Sequence, residues 1–465
     1  MKAHTFNFIR IEQRGRDTLL EKLVGLLDKV SLDRMGAGTV KKTKLAILNY
    51  IAGSLPGADA KVTMAEMNMW ASLGSSGGKC TILGKRGNYG VLEAAAVNGT
   101  MGQVIFQEDC HEKSISHPGV IVIPTALALG QHQDISGRCL MEAVVGGYEI
   151  QGRIGRGLIL PGFPKNGLRP ASVVGPFGSA AAGLILGLSH EQIADALSIV
   201  ANTVSGVMEF SISGTEDICI QNCYSVKNGL MAAFEAKAGI GGASTILDGR
   251  FGLACALNGG LAFDKSVLNN PDSYEIDDTF IKMYPCCGHV LPTAQAIAEI
   301  MASQRIQTHE VDSIRIGTRE VGKLFPGCDN PGPFEGIVSA MMSHQFAAAS
   351  AIVKGAFDVN AVQDCTNLEI YALARKSLVY IDEDVSALPA HRAGGKVEVI
   401  LKDGTSITSF QNETIPLSSE GVLKRMRENG RRFYSSQQIE SVIEKIMNLE
   451  SVKNINEIMS LLELK

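Results

Sequence analysis

The chain is poor in aromatic side chains: they make up 6% of 465 residues, with a single Trp, against 50 Gly. That balance points away from a core of large rings and towards helices and turns that approach one another closely. There is also no basic run and no basic amphipathic face. With 43 Lys and Arg against 48 Asp and Glu, the formal charge is −5, which excludes nucleic acid and an anionic membrane as expected partners and leaves a small molecule. Residues 1–17 lack the apolar core and cleavage pattern of a secretory signal, so a cytoplasmic location is expected. The 10 Cys follow no regular framework and several lie in apolar segments, as reduced thiols do. Cys219 and Cys223 stand one helical turn apart, but no second Cys/His pair accompanies them, so no structural zinc is expected.

What is present is ample material for a core: 45% hydrophobic and 20% charged residues, in a chain too long for one ordinary domain. Leu19, Leu20, Leu23, Leu26 and Leu27, then Leu45, Ile47, Leu48 and Ile51, recur at helical spacing and predict two amphipathic helices. A small-residue helix at 91–102, a polar loop at 106–119 and helices from 120 and across 137–152 follow. The stretch from Arg169 to Leu188, "RPASVVGPFGSAAAGLILGL", has no charge after its arginine. It is near the lower length limit for a membrane span and is interrupted by Pro176 and by glycines, so it reads as the buried central helix of a helical domain. Ser189 with Gln192 forms a capping box for the next helix.

Beyond about residue 268 strand-like runs appear at 311–318, 376–382 and 396–410, the last broken by a hairpin signal at Asp403-Gly404. From Ser418 the pattern is helical again, with Ser435 as an N-cap. The expected fold is mainly α with an inserted α+β domain: residues 1–268 and 412–465 make a large all-helical domain, residues 269–411 a smaller α+β lid. A ligand is expected in the cleft between them.

Six segments carry a resemblance when taken in order: "AAAVNG" (94–99), "HPG" with its following Ala/Leu-rich helix (117–130), "SVVGPFGSAAAGLILGL" (172–188), "VKNGLMAAFEAKAG" (226–239), "MYPCCGH" (283–289) and "NPGPFEGIVSAMMSHQFAAA" (330–349). The set resembles the MmgE/PrpD family of dehydratases, decarboxylases and epimerases acting on small carboxylic acids. The resemblance implies a homodimer without metal or organic cofactor, and chemistry on a proton or carboxylate beside a stabilised carbanion. Such chemistry needs cations for substrate carboxylates and a general acid or base.

On these grounds His117 is a candidate for proton transfer, since its ring exchanges a proton near neutral pH. Lys282 matches a family lysine that would hold a carboxylate or an enolate. Arg169 stands where decarboxylase and epimerase members carry histidine, and its planar fork suits a carboxylate. Cys287, beside Cys286, is a candidate nucleophile or proton carrier if a cation lowers its pKa. Asp109, Cys110 and His289 complete the expected substrate surroundings. Three departures from the family pattern stand out: Phe106 replaces an acid, Cys110 a threonine and Ile218 a lysine, which makes the site less suited to a tricarboxylate. The leading expectation is a lyase releasing water or carbon dioxide. The alternatives are an epimerase using His117 and Cys287 on opposite faces of one carbon, and a member that has lost catalysis and serves in binding.

Overall fold

The first helix, Leu19–Gly25, begins where Thr18 and Glu21 cap each other reciprocally, the Thr18 hydroxyl accepting the Glu21 N–H and the Glu21 carboxylate accepting the Thr18 N–H. The computed structural model describes residues 18–74, 77–159, 167–178, 180–258, 261–389 and 393–464. The segment 1–17 read for a secretory signal and Ser179 in the apolar stretch lie outside them. Helix Ala37–Ser54 follows, with Gly36 as its N-cap. Helices Val91–Gln103, Gly119–Gln133, Gly137–Leu158, Pro170–Gly178 and Asp217–Lys237 then build the interior.

These helices touch through glycine. A Cβ on Gly147 would lie 2.6 Å from Val122 Cγ1 and 2.7 Å from the Gly178 carbonyl oxygen, and one on Gly178 would lie 2.1 Å from Gln151 Oε1. The abundance of Gly and scarcity of aromatics thus become backbone approaches that no larger side chain permits. The apolar stretch after Arg169 is helical over Pro170–Gly178 and Ala180–Ile185, on either side of Ser179. Pro176 inside the first piece removes a backbone donor. The chain leaves the second at Gly187 (φ +66°), and the Ser189/Gln192 capping box starts His190–Val200 as expected. Among the described residues no helix is long and apolar enough to cross a membrane.

Segment 106–119 departs furthest from its polar-loop expectation. Glu108, Asp109 and His111 are buried, and Asp109–His111 is a strand, β1, paired antiparallel with β2 (Thr279–Ile281) in the register Cys110↔Phe280. Polar residues are affordable inside when every group has an internal partner, and most here do. The remaining strands, β3 (Val311–Thr318), β4 (Ser377–Ile381), β5 (Gly395–Leu401) and β6 (Ser406–Gln411), form one sheet in the order β4-β3-β5-β6. β3 and β4 are parallel, while β3/β5 and β5/β6 are antiparallel. Val397 and Val399 of β5 alternate with less buried neighbours, the period-two pattern of a sheet with one packed face. Helices Leu291–Ser303 and His344–Lys354 cover that face.

Helices Ser419–Gly430 and Ser436–Met447 return to Ala37–Ser54 and share its core. The chain is therefore mostly helical, with small β sheets in a separate α+β region. A second core joins that region to Phe106, Met208, Phe210 and Ile218 of the helical part, and the seam between the two holds the cavity described next.

The glycine contacts give a stability test. Gly147→Val is expected to destabilise by roughly 1–3 kcal/mol through overpacking, whereas Gly38→Ala, with nothing within 4 Å of the added Cβ, is expected to be neutral or stabilising by up to about 1 kcal/mol. Urea unfolding of both variants checks this; equal midpoints would contradict the close-packing account.

Candidate active site

The β1–β2 ribbon sets Lys282 beside Glu108. Just past the paired residues the Lys282 N–H donates to the Glu108 carbonyl at 3.3 Å, and the side chains meet at 2.5 Å, Nζ to Oε1, each only 1% exposed. Burial pushes the Glu108 carboxyl up, but the adjacent Lys282 ammonium, together with His117 and hydrogen bonds, outweighs it and leaves the carboxyl below its ordinary value. Burial likewise opposes the Lys282 charge, and Glu108 raises its pKa above the ordinary value. Gln103 Nε2 donates to the same Glu108 oxygen at 3.3 Å, and the Lys282 ammonium lies 5.4 Å from the Phe106 ring centroid. Arg425, from the C-terminal helices, clasps the arrangement from behind by donating to Asn49 Oδ1 and to the carbonyls of Gln107, Lys282 and Met283.

His117 stands at the turn before Gly119–Gln133. Its Nδ1 donates to the Asp109 carbonyl at 2.8 Å. A carbonyl only accepts, so the proton sits on Nδ1 and the Nε2 lone pair is free. Nε2 has no protein partner among the described residues. Burial, followed by the Lys282 cation and with a smaller push from Arg169, drives the ring's pKa down to about 4, so it is a neutral base at pH 7.

Arg169 precedes the Pro170–Gly178 helix and is 5% exposed. Its guanidinium donates to Ser172 Oγ (3.2 Å), Asn222 Oδ1 (3.1 Å), Gln103 Oε1 (3.2 Å) and the Ile218 carbonyl (3.5 Å). All four are neutral, and among the described residues no acid lies within ion-pairing distance. Burial lowers its pKa to about 10, so it remains a cation at neutrality.

Glu108, His117, Arg169, Lys282 and Cys287 border one cavity of about 70 Å³ at the seam. Its remaining wall is largely apolar, including Phe106, Met208, Phe210, Ile218, Phe325 and Met342. Residues 21–266 match the family model for the MmgE/PrpD N-terminal domain, and residues 284–449 match that for the MmgE/PrpD C-terminal domain. The chain belongs to the MmgE/PrpD family. It is 23% identical over 469 residues to the cis-aconitate decarboxylase of Aspergillus terreus, covering 93% of each chain. To the cis-aconitate decarboxylase of Homo sapiens it is 27% identical over 395 residues, covering 80% of this chain and 79% of that one. To that of Mus musculus it is 25% identical over 476 residues, covering 96% and 93%.

In this MmgE/PrpD chain His117, Lys282, Arg169 and Cys287 share the cavity, together with Phe106 and Ile218. Asp109, Cys110 and His289 do not border it. Asp109 accepts from the Gly119 N–H (2.9 Å) and the Tyr148 hydroxyl (2.6 Å), so it caps a helix and holds the His117 turn. The Cys110 sulfur lies 3.5 Å from His117 Nδ1, and burial pushes its thiol up. The His289 ring packs 4.5 Å from that of Phe325. Cys286 is fully buried, whereas the Cys287 sulfur receives the Cys328 thiol at 4.0 Å. That contact lowers the Cys287 pKa against burial, and Lys282 adds to it.

Sequence reasoning missed Glu108 as the partner of Lys282, and Gln103, Arg425 and Cys328. Arg425 left a signal: it shares a helix face with Val422 and Met426, both buried. Among the described residues a group that could offer three metal ligands is His111, Glu275 and Asp278. Arg156 lies 2.5 Å from Glu275 and Lys113 2.6 Å from Asp278, so these acids already have cations and the set is a poor match for a metal.

The depressed His117 pKa fixes a pH dependence. Free base is present above about 4 and is lost as pH falls through that value, so the acid limb of kcat/KM is expected there and not near the ordinary ~6.5. NMR titration of the ring checks this without any substrate; a midpoint at the ordinary value would contradict the electrostatic account.

Proposed function

We propose that the protein is a cofactor-independent lyase that removes water or carbon dioxide from a small carboxylic acid. The observation that carries this is the convergence of a neutral base, His117, and two buried cations, Lys282 and Arg169, on one cavity. Kinship with the cis-aconitate decarboxylases supports it at the level of reaction class. A pocket still bordered by all three side chains weighs against a member that has lost catalysis.

In the proposed dehydration, Arg169 anchors the substrate carboxylate, and His117 Nε2 takes a proton from the carbon beside it. The released electron pair moves onto the carboxylate as an enolate, where the nearby positive charge of Lys282 and Arg169 stabilises it. That pair then returns to form the carbon–carbon double bond, and the departing hydroxide takes the imidazolium proton to leave as water. In a decarboxylation the order changes: carbon dioxide leaves first, the electron pair of the broken bond stays on carbon, and a water molecule held at the neutral His117 Nε2 gives that carbon a proton, its hydroxide passing to solvent. Asp109 acts at one remove, holding the His117 turn.

Incubation of candidate acids in deuterium oxide tests the reading. Release of water or carbon dioxide is expected, and deuterium exchange with inversion and no loss of mass would favour an epimerase in which Cys287 faces His117. His117→Ala is expected to lower turnover by about 100-fold or more with little change in thermal unfolding, because the ring stands in a turn; normal turnover would remove His117 from the mechanism. Arg169→Lys is expected to raise KM about tenfold, since a point charge cannot reproduce the fork.

A further inference from the structure

The cavity's charge inventory points to a more specific ligand. We infer that the site binds a singly charged carboxylic acid with an apolar body, in preference to a di- or tricarboxylate. This deepens the lyase reading and rests on it for the fate of the acid, while the binding argument stands on the cavity alone.

Four charged or basic side chains border the cavity, with the Cys287 thiol beside them. Lys282 and Glu108 neutralise each other at 2.5 Å. His117 carries no charge at neutral pH. Arg169 is left as a buried cation whose hydrogen-bond partners are all neutral, and a buried charge without a counter-ion favours the arrival of one. One carboxylate satisfies it. Arg425 does not add a second anchor, because it does not border the cavity and four protein oxygens engage its guanidinium.

A second carboxylate would have to compete with Glu108 for the Lys282 ammonium, or lie against Phe106, Met208, Phe210, Ile218, Phe325 or Met342, where no side chain donates a hydrogen bond. The one amide donor nearby, Gln103 Nε2, already serves Glu108. Burying an ionised carboxylate without a partner is costly, whereas the same wall gains free energy from covering a methyl or ethyl group. Cis-aconitate, for which the relatives are named, carries three carboxylates, so this cavity is built for a different acid of the same general kind.

Calorimetric titration of the wild-type protein at neutral pH tests this with four probes: tiglate, its primary amide, mesaconate and cis-aconitate. Tiglate and mesaconate share a carbon skeleton and double-bond geometry and differ in one carboxylate replacing a methyl. Tiglate is expected to bind at least about tenfold more tightly than the other three, the size of one charge-assisted pair gained or one charge left unpaired. Equal or tighter binding of mesaconate, cis-aconitate or the amide overturns the inference, as does failure of tiglate to bind. Ile218→Lys, which adds a cation to the wall, is expected to reverse the tiglate/mesaconate order; a folded variant that still prefers tiglate counts against the inference. If that variant does not fold, the wild-type series decides alone. Because binding is read without turnover, the tiglate preference with no exchange or release from any acid overturns the lyase reading only. Turnover of a dicarboxylate at higher kcat/KM than any monocarboxylate overturns this inference only.

Discussion

The buried ion pair between Lys282 and Glu108 is the constraint on which the rest of the site depends. Two charges removed from water carry a desolvation cost that their attraction offsets only with good geometry and further hydrogen bonds. Here the geometry comes from backbone: β1 and β2 pair antiparallel, and the Lys282 N–H meets the Glu108 carbonyl just beyond the pairing. Gln103 supplies the extra hydrogen bond to Glu108. Arg425 ties the carbonyls of Gln107 and Lys282 to Asn49 in Ala37–Ser54, so the N-terminal helices, the ribbon and the C-terminal helices are fastened at one point. Removing either partner of the pair would leave a lone charge in a dry interior, and the seam between helical and α+β regions would lose its centre.

The sequence made the periodic parts of this fold legible and left its long-range pairings hidden. Ser189 with Gln192, Ser435 as an N-cap and the Asp403-Gly404 turn are local signals, and each does in the structure what its place in the sequence implies. Burial of 106–119 was not legible, because its acids and histidines look the same whether they face water or partners. The partners lie far away in sequence: Lys282 is 174 residues from Glu108. His117, Lys282 and Arg169 could be brought together only through resemblance to a family. The pairing of Glu108 with Lys282, which no motif singled out, needed the ribbon register to be seen.

Arg169 and His117 are coupled through the same electrostatics. In the empty site two cations help keep the imidazole neutral, and burial does most of that work. An anion arriving at Arg169 cancels part of the positive potential at the ring and raises its affinity for a proton. The ring therefore becomes a stronger base when a carboxylate is bound than when the cavity is empty. Lys282, held by Glu108, does not lose its charge in the process and stays available to face negative charge developing on the substrate. A base that strengthens on binding, beside a cation whose counter-ion is already in place, would separate the two jobs that the proposed lyase reaction requires. One cation recognises the acid, the other steadies the charge that proton removal creates, and the apolar wall keeps water from weakening either interaction.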